Sequence, residues 1–274
     1  MAPDASMSLG DLQLISVSDG TCKIPPEYFM GSDWTSHQAL LGPDGMITGQ
    51  LGCFVVRTSQ QTVLVDAGVG PFDNQFFQGG RLPAALDAAG VTRDEIDIVV
   101  CTHLHLDHAG WLVQDGEPFF PNATVRFGEG DWDQFVAGGD GADWIRDGLR
   151  LLDQRGRVEP ITRDGESIAA GITARAAPGH THGHIVLVLS SQSERLVLLG
   201  DAVTCPVQLE EPDWQAISDV DPALASRTRD ALFRELEGSG DLAVAAHFPD
   251  LRFGRVLPGE GARRFVVGTH GSAT

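Results

Sequence analysis

The sequence is poor in cysteine and contains no closely spaced cysteine pair. Its four cysteines are scattered along the chain at Cys22, Cys53, Cys101 and Cys205. A disulfide framework is therefore not expected, and the thiols are predicted to be reduced. Reduced thiols favour a cytoplasmic location.

Basic residues are also scarce. The chain carries 19 Lys+Arg against 38 Asp+Glu, which gives a formal net charge of -19. Nucleic-acid binding depends mainly on Lys and Arg side chains that neutralise phosphates, so a nucleic-acid partner is not expected. We interpret the excess of acidic residues as a surface property that keeps the protein in solution.

Long apolar runs are absent as well. No stretch approaches the roughly 18 apolar residues of a membrane span, and the first residues lack the basic region and apolar core of a signal peptide. No repeat or low-complexity tract occurs, and the 33 Gly and 15 Pro are spread along the chain. These features predict one continuous domain over residues 1–274, with no membrane contact.

Short apolar runs bounded by Gly, Asp or Ser predict strands, and amphipathic runs predict helices. The predicted strands are 12–18, 52–58, 62–68, 96–102, 123–128, 172–177, 184–190, 195–200 and 242–246. The predicted helices are 81–90, 130–137, 143–154 and 222–237, the last with Asp221 as N-cap and Pro222 as its first residue. This pattern predicts a mixed sheet system flanked by helices.

Residues 20–50 separate the first two predicted strands and contain several apolar and aromatic residues. A connection of that length in a compact domain is usually functional. We predict that it is either a lid over a binding site or a contact between two copies in a homodimer.

The stretch "CTHLHLDHAGW" (101–111) follows the buried strand predicted at 96–102. Neutral imidazole and carboxylate are common ligands of Zn²⁺. On an extended backbone His103 and His105 point to the same side and can share one metal. The chain then turns, so that Asp107 and His108 can reach a second.

Three further candidate ligands also follow predicted strands. His180 lies in "APGHTHGH", Asp201 in "LLGDA" and His247 in "AAHFP". The carboxyl ends of strands in α/β folds commonly carry ligand sites. The recurrence of His and Asp at four such ends indicates a metal site far more specifically than the first motif alone does.

These motifs resemble the metallo-β-lactamase-fold hydrolase superfamily, in which H-x-H-x-D-H is followed by a later His, an Asp and a last His. The resemblance extends from about Gly10 to His247 and includes "LVDAG" (64–68) and "GRLPAALDAAGV" (80–91). It implies an α/β fold, the four-layer αβ/βα sandwich of two mixed β-sheets flanked by helices. Within the superfamily, the sequence most resembles the lactonase and organophosphate-hydrolase branch.

The resemblance also implies the ligand sets. His103, His105 and His180 would hold one metal, Asp107, His108 and His247 the other, and Asp201 would bridge both. Asp66 would orient a metal-bound histidine through its other ring nitrogen, and His184 would support the ligands from behind. The cofactors expected are two divalent metal ions per chain, with zinc first and Mn, Fe or Co as alternatives.

The expected reaction is hydrolysis by a hydroxide that bridges the two ions. Metal binding lowers the pKa of water towards about 7, and the second ion can polarise the substrate carbonyl. Asp107 is predicted to be the catalytic proton shuttle to the leaving alkoxide.

The predicted substrate is a hydrophobic lactone or ester, with phosphotriesters as a further possibility. The pocket residues expected are Tyr28, Phe29, Met30 and Trp34 from the segment 20–50, with Trp111 and Thr204. Many homoserine-lactone hydrolases of this family carry a tyrosine where Thr204 stands, and Tyr28 is the only tyrosine of the chain.

Two alternatives stay open. The first is a glyoxalase-type thioester hydrolase, which would share every ligand and bind an anionic thiol carrier. The arginines of "RFGRVLPGEGARR" (252–264) would suit such a carrier. The second is a non-catalytic metal-binding protein. Of the other histidines, His37, His182 and His270 are predicted to lie at the surface.

Overall fold

The computed structural model describes residues 6–259 and 263–267. Two seven-stranded mixed sheets dominate it. The strands of the first half are β1 Ser6–Leu9, β2 Leu12–Ile24, β3 Phe29–Met30, β4 Ile47–Arg57, β5 Thr62–Val65, β6 Phe77–Gln78, β7 Ile98–Val100, β8 Val113–Gln114, β9 Glu117–Pro118 and β10 Thr124–Arg126. Those of the second half are β11 Glu166–Ala169, β12 Ile172–Ala176, β13 Ile185–Ser191, β14 Glu194–Leu198, β15 Gln215–Ala216, β16 Leu242–Val244, β17 Gly254–Leu257 and β18 Arg264–Val267.

Helices connect and cover the sheets. They are α1 Leu82–Ala88, α2 Leu106–Ala109, α3 Glu129–Asp131, α4 Asp143–Gln154, α5 Val207–Glu210 and α6 Pro222–Leu236, and a π-helical stretch Trp132–Ala137 follows α3. Short 3-10 turns occur at Pro26–Tyr28, Trp34–Ser36, Gln38–Leu40, Arg93–Glu95 and Gly200–Ala202. Within the described residues, no helix is both long and apolar enough to cross a bilayer.

The strand order of the first sheet is β1-β2-β4-β5-β7-β10, with β6 paired to β2, and that of the second is β11-β12-β13-β14-β16-β17-β18. Parallel pairing joins β5 to β7, β7 to β10 and β14 to β16. The other pairs in these two sheets are antiparallel, so both sheets are mixed, as predicted.

Alternation along the strands of the first sheet creates the layers. On β5, Val63 and Val65 enter the core between the sheets, whereas Leu64 joins the core under α1 and α4. The period of two in side-chain direction accounts for this division. Each fully buried Val or Leu contributes about 1.5–3 kcal/mol, so two such cores support a four-layer sandwich. The predicted fold class is confirmed.

The helix predictions hold closely. Helix α4 spans the predicted residues and buries Ile145, Leu149 and Leu152, which recur at helical spacing. At the start of α6 the side chain of Asp221 accepts a hydrogen bond from the Leu224 N–H at 2.9 Å. This is the expected N-cap, with Pro222 as the first helical residue.

The unpaired connection within segment 20–50 is shorter than the sequence analysis predicts. Beyond a bulge near Ser18, the residues Thr21–Ile24 of β2 pair with Ile47–Gln50 of β4. The connection that remains is folded into three short turns and β3, which pairs with β15. Cross-strand pairing of the two ends was missed because Gly20, Pro25 and Pro26 interrupt the apolar pattern.

Candidate metal centre

The seven predicted ligands lie at one edge of the two sheets. His103 and His105 follow β7, while Asp107 and His108 lie in the one-turn helix α2. His180, Asp201 and His247 follow β12, β14 and β16, respectively. Strands that end at the same edge deliver these side chains to one place, and three groups of them have ligand atoms within 4.8 Å of one another.

The first group contains His103, His105 and His180. The Nε2 atom of His103 lies 2.9 Å from Nδ1 of His105, and Nε2 of His180 lies 3.1 Å from the same atom. Burial, with the neighbouring imidazoles, holds the pKa of His103 and His105 well below the usual value. The rings are therefore neutral, the form in which histidine binds metals.

The second group contains Asp107, His108 and His247. The Nε2 atoms of His108 and His247 lie 3.9 Å and 3.4 Å from the Asp107 carboxylate. Burial alone would lower the pKa of His108, but the carboxylates of Asp66, Asp201 and Asp107 raise it to about 9. This part of the site attracts positive charge.

Asp201 lies between the two groups. Its carboxylate oxygens are 3.5 Å from Nε2 of His108, 3.2 Å from Nε2 of His247 and 3.6 Å from Nε2 of His180. Burial alone would raise the pKa of Asp201, but the imidazoles of His247 and His108 hold it well below its usual range. An ionised carboxylate in contact with both groups has the position of a bridging ligand.

Contacts behind three of the histidines determine which ring nitrogen is free. Nδ1 of His108 donates to Asp66 at 2.9 Å, Nδ1 of His180 to Asp219 at 3.0 Å and Nδ1 of His247 to the Gln50 carbonyl at 2.8 Å. These oxygens only accept, so Nδ1 keeps a proton and Nε2 is the ring nitrogen directed into the site.

The imidazole nitrogens and carboxylate oxygens of the site face one another. Nε2 of His108 and Oδ1 of Asp201 are buried and have no hydrogen-bond partner among the residues that the structure describes. Buried polar atoms without hydrogen-bond partners are costly. A divalent cation would satisfy them, so the donor set of imidazole nitrogens and carboxylate oxygens fits the two metal ions that the sequence predicts.

Asp66 and His184 have the contacts expected of supporting residues. Asp66 adopts a positive φ of 61° and accepts the Thr102 N–H at 2.7 Å, which directs its second oxygen to His108. Burial and the neighbouring imidazole of His180 lower the pKa of His184 to about 3, so its neutral ring accepts the Asp201 N–H at 3.0 Å.

Several supporting residues were missed by sequence reasoning. Asp131 accepts the N–H groups of Leu104 and Gly183, at 2.9 Å and 2.6 Å, and thereby ties two ligand loops together. Asp219 contacts Nδ1 of His180, and Arg229 in turn donates to Asp219. These residues carry no motif of their own, since their partners are distant in sequence.

A cavity of about 300 Å³ opens above the ligands. Besides five of the ligands, its lining consists mainly of apolar side chains. Of the predicted pocket residues, Tyr28 and Thr204 lie in this lining. The phenol of Tyr28 is hydrogen-bonded to the Ser218 hydroxyl at 2.5 Å. Burial and the charge of Asp201 raise its pKa, so the phenol stays protonated. The lining also contains Phe76 and Phe77, which were not predicted.

The other four predicted pocket residues lie elsewhere. Phe29 and Trp34 pack against Trp214, with ring centroids 6.0 Å and 4.7 Å away. Met30 is 42% exposed, outside the lining of the cavity. The Trp111 indole donates to the buried Asp19 at 2.8 Å. Nearness in sequence to His108 was misleading for Trp111, because the turn after α2 directs the indole towards the core.

The remaining histidines and the cysteines follow the predictions in part. His182 is exposed, as expected, and His270 lies outside the described residues. His37 is not a simple surface residue, because its ring contacts Glu211 at 2.9 Å and its side chain is only 10% exposed. All four cysteines are buried and unpaired, in agreement with the predicted reduced thiols.

Residues 49–247 match the sequence family described as the metallo-beta-lactamase superfamily, and the chain belongs to this superfamily. The N-acyl homoserine lactonase of Bacillus cereus is 23% identical over 184 residues, which are 61% of this chain and 69% of the lactonase. An acyl-coenzyme A thioesterase of Bos taurus is 26% identical over 223 residues, 68% of this chain and 73% of that enzyme.

A solved structure is also similar. AidC, a dizinc quorum-quenching lactonase, matches with a TM-score of 0.87 and 20% identity over 98% of both chains. This likeness concerns the fold. The family, the fold and the clustered His and Asp side chains together place the chain in the class of metal-dependent hydrolases.

Proposed function

We propose that this protein is a dinuclear metal hydrolase that opens a lactone or cleaves an ester of a hydrophobic small molecule. The observation that carries the proposal is the meeting of seven His and Asp side chains, joined by Asp201, at the base of a mainly apolar cavity. Two-metal sites hold their ions about 3.5–4 Å apart, and a carboxylate shared by two ligand groups suits such a spacing.

His103, His105 and His180 would hold one ion, and Asp107, His108 and His247 the other, with Asp201 shared. When bound, the two ions supply a nucleophile at neutral pH and polarise the carbonyl. Zinc suits this set of nitrogen and carboxylate ligands, although Mn, Fe and Co accept the same donors.

Asp107 is the residue proposed to move the proton. It lines the cavity, its side chain is 13% exposed, and it lies 3.4 Å from His247. A carboxylate there can accept the proton of the attacking water and pass it to the leaving alkoxide, a role that requires contact with both the water and the substrate.

Tyr28 is proposed to hold the substrate oxygen. Its protonated phenol lies in the cavity lining beside Thr204 and Ser218, so it can donate a hydrogen bond to the negative charge that develops at the carbonyl. In this proposal the part of segment 20–50 between the paired strand ends acts as the lid, and the packing of Trp34 on Trp214 anchors it to the body of the protein.

The character of the cavity supports a hydrophobic substrate. Apart from the ligands, Lys23 and three hydroxyl side chains, its lining consists of a thiol, a proline and apolar side chains, namely Cys22, Ile24, Pro25, Phe76, Phe77 and Ile217. Apolar walls with a few placed polar groups are typical of small-molecule sites. Aryl esters and lactones are therefore favoured, and phosphotriesters share the same apolar and neutral character.

The glyoxalase-type thioester alternative has less support. Among the described residues that line the cavity there is no arginine of 252–264, and the one Lys or Arg side chain is that of Lys23, the single lysine of the chain. Its ammonium already contacts Asp44 at 2.6 Å. An anionic carrier would thus find little free positive charge, although the thioesterase relative keeps thioesters in the test.

Metal analysis and a substrate screen test the proposal. About two metal ions per folded chain are expected, together with turnover of lactones or aryl esters that a chelator abolishes and zinc restores. Asp201→Ala serves as the matched inactive control. Turnover of thioesters alone would overturn the substrate class, and a folded chain without metal or hydrolytic activity would overturn the proposal as a whole.

A further inference from the structure

Arg229 is a buried cation that the proposed reaction leaves unexplained. It lies on α6, is 1% exposed and belongs to the largest fully buried side chains of the fold. Its Nε donates to the Ala202 carbonyl at 2.9 Å, and its Nη2 lies 3.3 Å from Oδ2 of Asp219. A third, longer contact of 3.5 Å reaches the Trp214 carbonyl.

Two partners of Arg229, Asp219 and Ala202, lie directly behind the candidate metal centre. The other carboxylate oxygen of Asp219 accepts a hydrogen bond from Nδ1 of His180 at 3.0 Å. Ala202 is the residue after Asp201, in the same 3-10 turn. One guanidinium therefore contacts both the carboxylate that orients His180 and the turn that carries the shared ligand.

A contribution to stability alone is a weak reason for this arrangement. Taking an arginine and an aspartate out of water costs several kcal/mol for each ion, and well-packed apolar residues of similar volume often stabilise a core equally well. The planar fork of arginine, by contrast, can hold several acceptors at set angles. Two of its three targets, Asp219 and the Ala202 carbonyl, connect directly to ligands of the centre.

We propose that Arg229 is a positioning residue for the metal centre: it holds Asp219 as the carboxylate partner of His180 and anchors the turn of Asp201. The inference rests on the dinuclear site proposed above. It predicts that the metal affinity of the chain depends on a side chain that contacts no ligand directly.

Stepwise zinc affinity is the readout. Protein depleted of metal is titrated with zinc against a competing chelator, for the wild type and for Arg229→Met, Arg229→Lys and Arg227→Met. Loss of partners behind metal ligands typically weakens binding about 10- to 100-fold. That loss is expected for Arg229→Met, whereas Arg227→Met, an exposed position on the same helix, should bind zinc as the wild type does.

Arg229→Lys separates positioning from packing. Lysine keeps a positive charge opposite Asp219 but lacks the fork that reaches Ala202, so a partial recovery of zinc affinity is expected. Asp219→Asn should weaken zinc binding to a similar extent. If Arg229 acts through Asp219, the double variant should lose little more than either single variant.

Folded Arg229→Met with wild-type zinc affinity would overturn the inference, since Arg229 would then serve the core alone. If that variant does not fold, Asp219→Asn decides: unchanged zinc affinity would again overturn it. A wild type that binds no zinc at all would instead contradict the proposed function, so the two failures are distinguishable.

Discussion

At the scale of single residues, the protonation of each side chain decides what the centre can bind. Asp66, Asp219 and the Gln50 carbonyl each accept a hydrogen bond from Nδ1 of one histidine, so the Nε2 atoms face inward. Tyr28 contributes the opposite property, because its raised pKa keeps a donor in a cavity whose base otherwise consists of acceptors.

Tyr28→Phe tests that donor. Removal of a donor to the developing oxyanion can cost about 10²–10³-fold in kcat. We expect a fall towards the lower end of this range, since bound metals would share the charge, with a smaller change in KM. Steady-state kinetics on an aryl ester or lactone would measure it. Ser218→Ala keeps the phenol and serves as control; an unchanged kcat in Tyr28→Phe would remove Tyr28 from the mechanism.

At the scale of elements, helix α6 contacts both the second sheet and the residues behind the candidate metal centre. Its apolar residues Leu232, Phe233 and Leu236 pack in the core, while Glu235 forms ion pairs with Arg175 of β12 and Arg195 of β14. Those arginines lower the pKa of Glu235 to about 2, the hydrogen bond from Arg175 having the largest effect.

Glu235→Gln should lower the stability of the protein relative to the wild type, and this loss should be larger at neutral pH than at acid pH. A carboxyl whose folded pKa is lowered contributes stability above its unfolded pKa, near 4.5, and loses it as the pH falls towards 2. Since solvent screens the pair, the shift in Tm should be a few degrees at most. Thermal unfolding between pH 7 and pH 3 would measure it.

The exposed Glu210→Gln is the control for that experiment, because it removes the same charge without these ion pairs. The gap between Glu235→Gln and the wild type should narrow as the pH falls. A gap that stays constant with pH would show that the ion pairs contribute nothing that titrates.

At the scale of the whole molecule, stability and metal binding are coupled. The centre concentrates carboxylates and lone pairs in a chain of net charge -19. A ligand that binds only the folded state stabilises it, by about 4 kcal/mol when its free concentration is 1,000 times Kd. Chelation should therefore lower Tm, and added zinc should restore it.

Differential scanning calorimetry would test this coupling in three conditions. The protein is measured with free chelator, with chelator already saturated by zinc, and with free chelator after zinc is added back. The zinc-saturated chelator is the control for effects of the chelator itself. An identical Tm in all three conditions would mean that the folded protein binds no metal of consequence.

Much of the molecule was predictable because local pattern decided it. Helix α4 has apolar residues at helical spacing, and Asp221 with Pro222 marks the start of α6. Strand ends followed by His or Asp predicted which side chains meet. The pairing of 21–24 with 47–50 was not predictable, because it depends on two distant stretches that glycine and proline disguise.

The sequence by itself determined a mixed sheet system flanked by helices and the seven candidate ligands, since periodicity and short motifs are properties of neighbouring residues; the four-layer sandwich followed from the family resemblance of those motifs. Only the tertiary structure decided what stands behind and above them. Asp131, Asp219 and Arg229 act through partners far along the chain, and packing turned Trp111 to the core and Tyr28 to the cavity. Such contacts exist only once the sheets have packed, because burial and distance decide them.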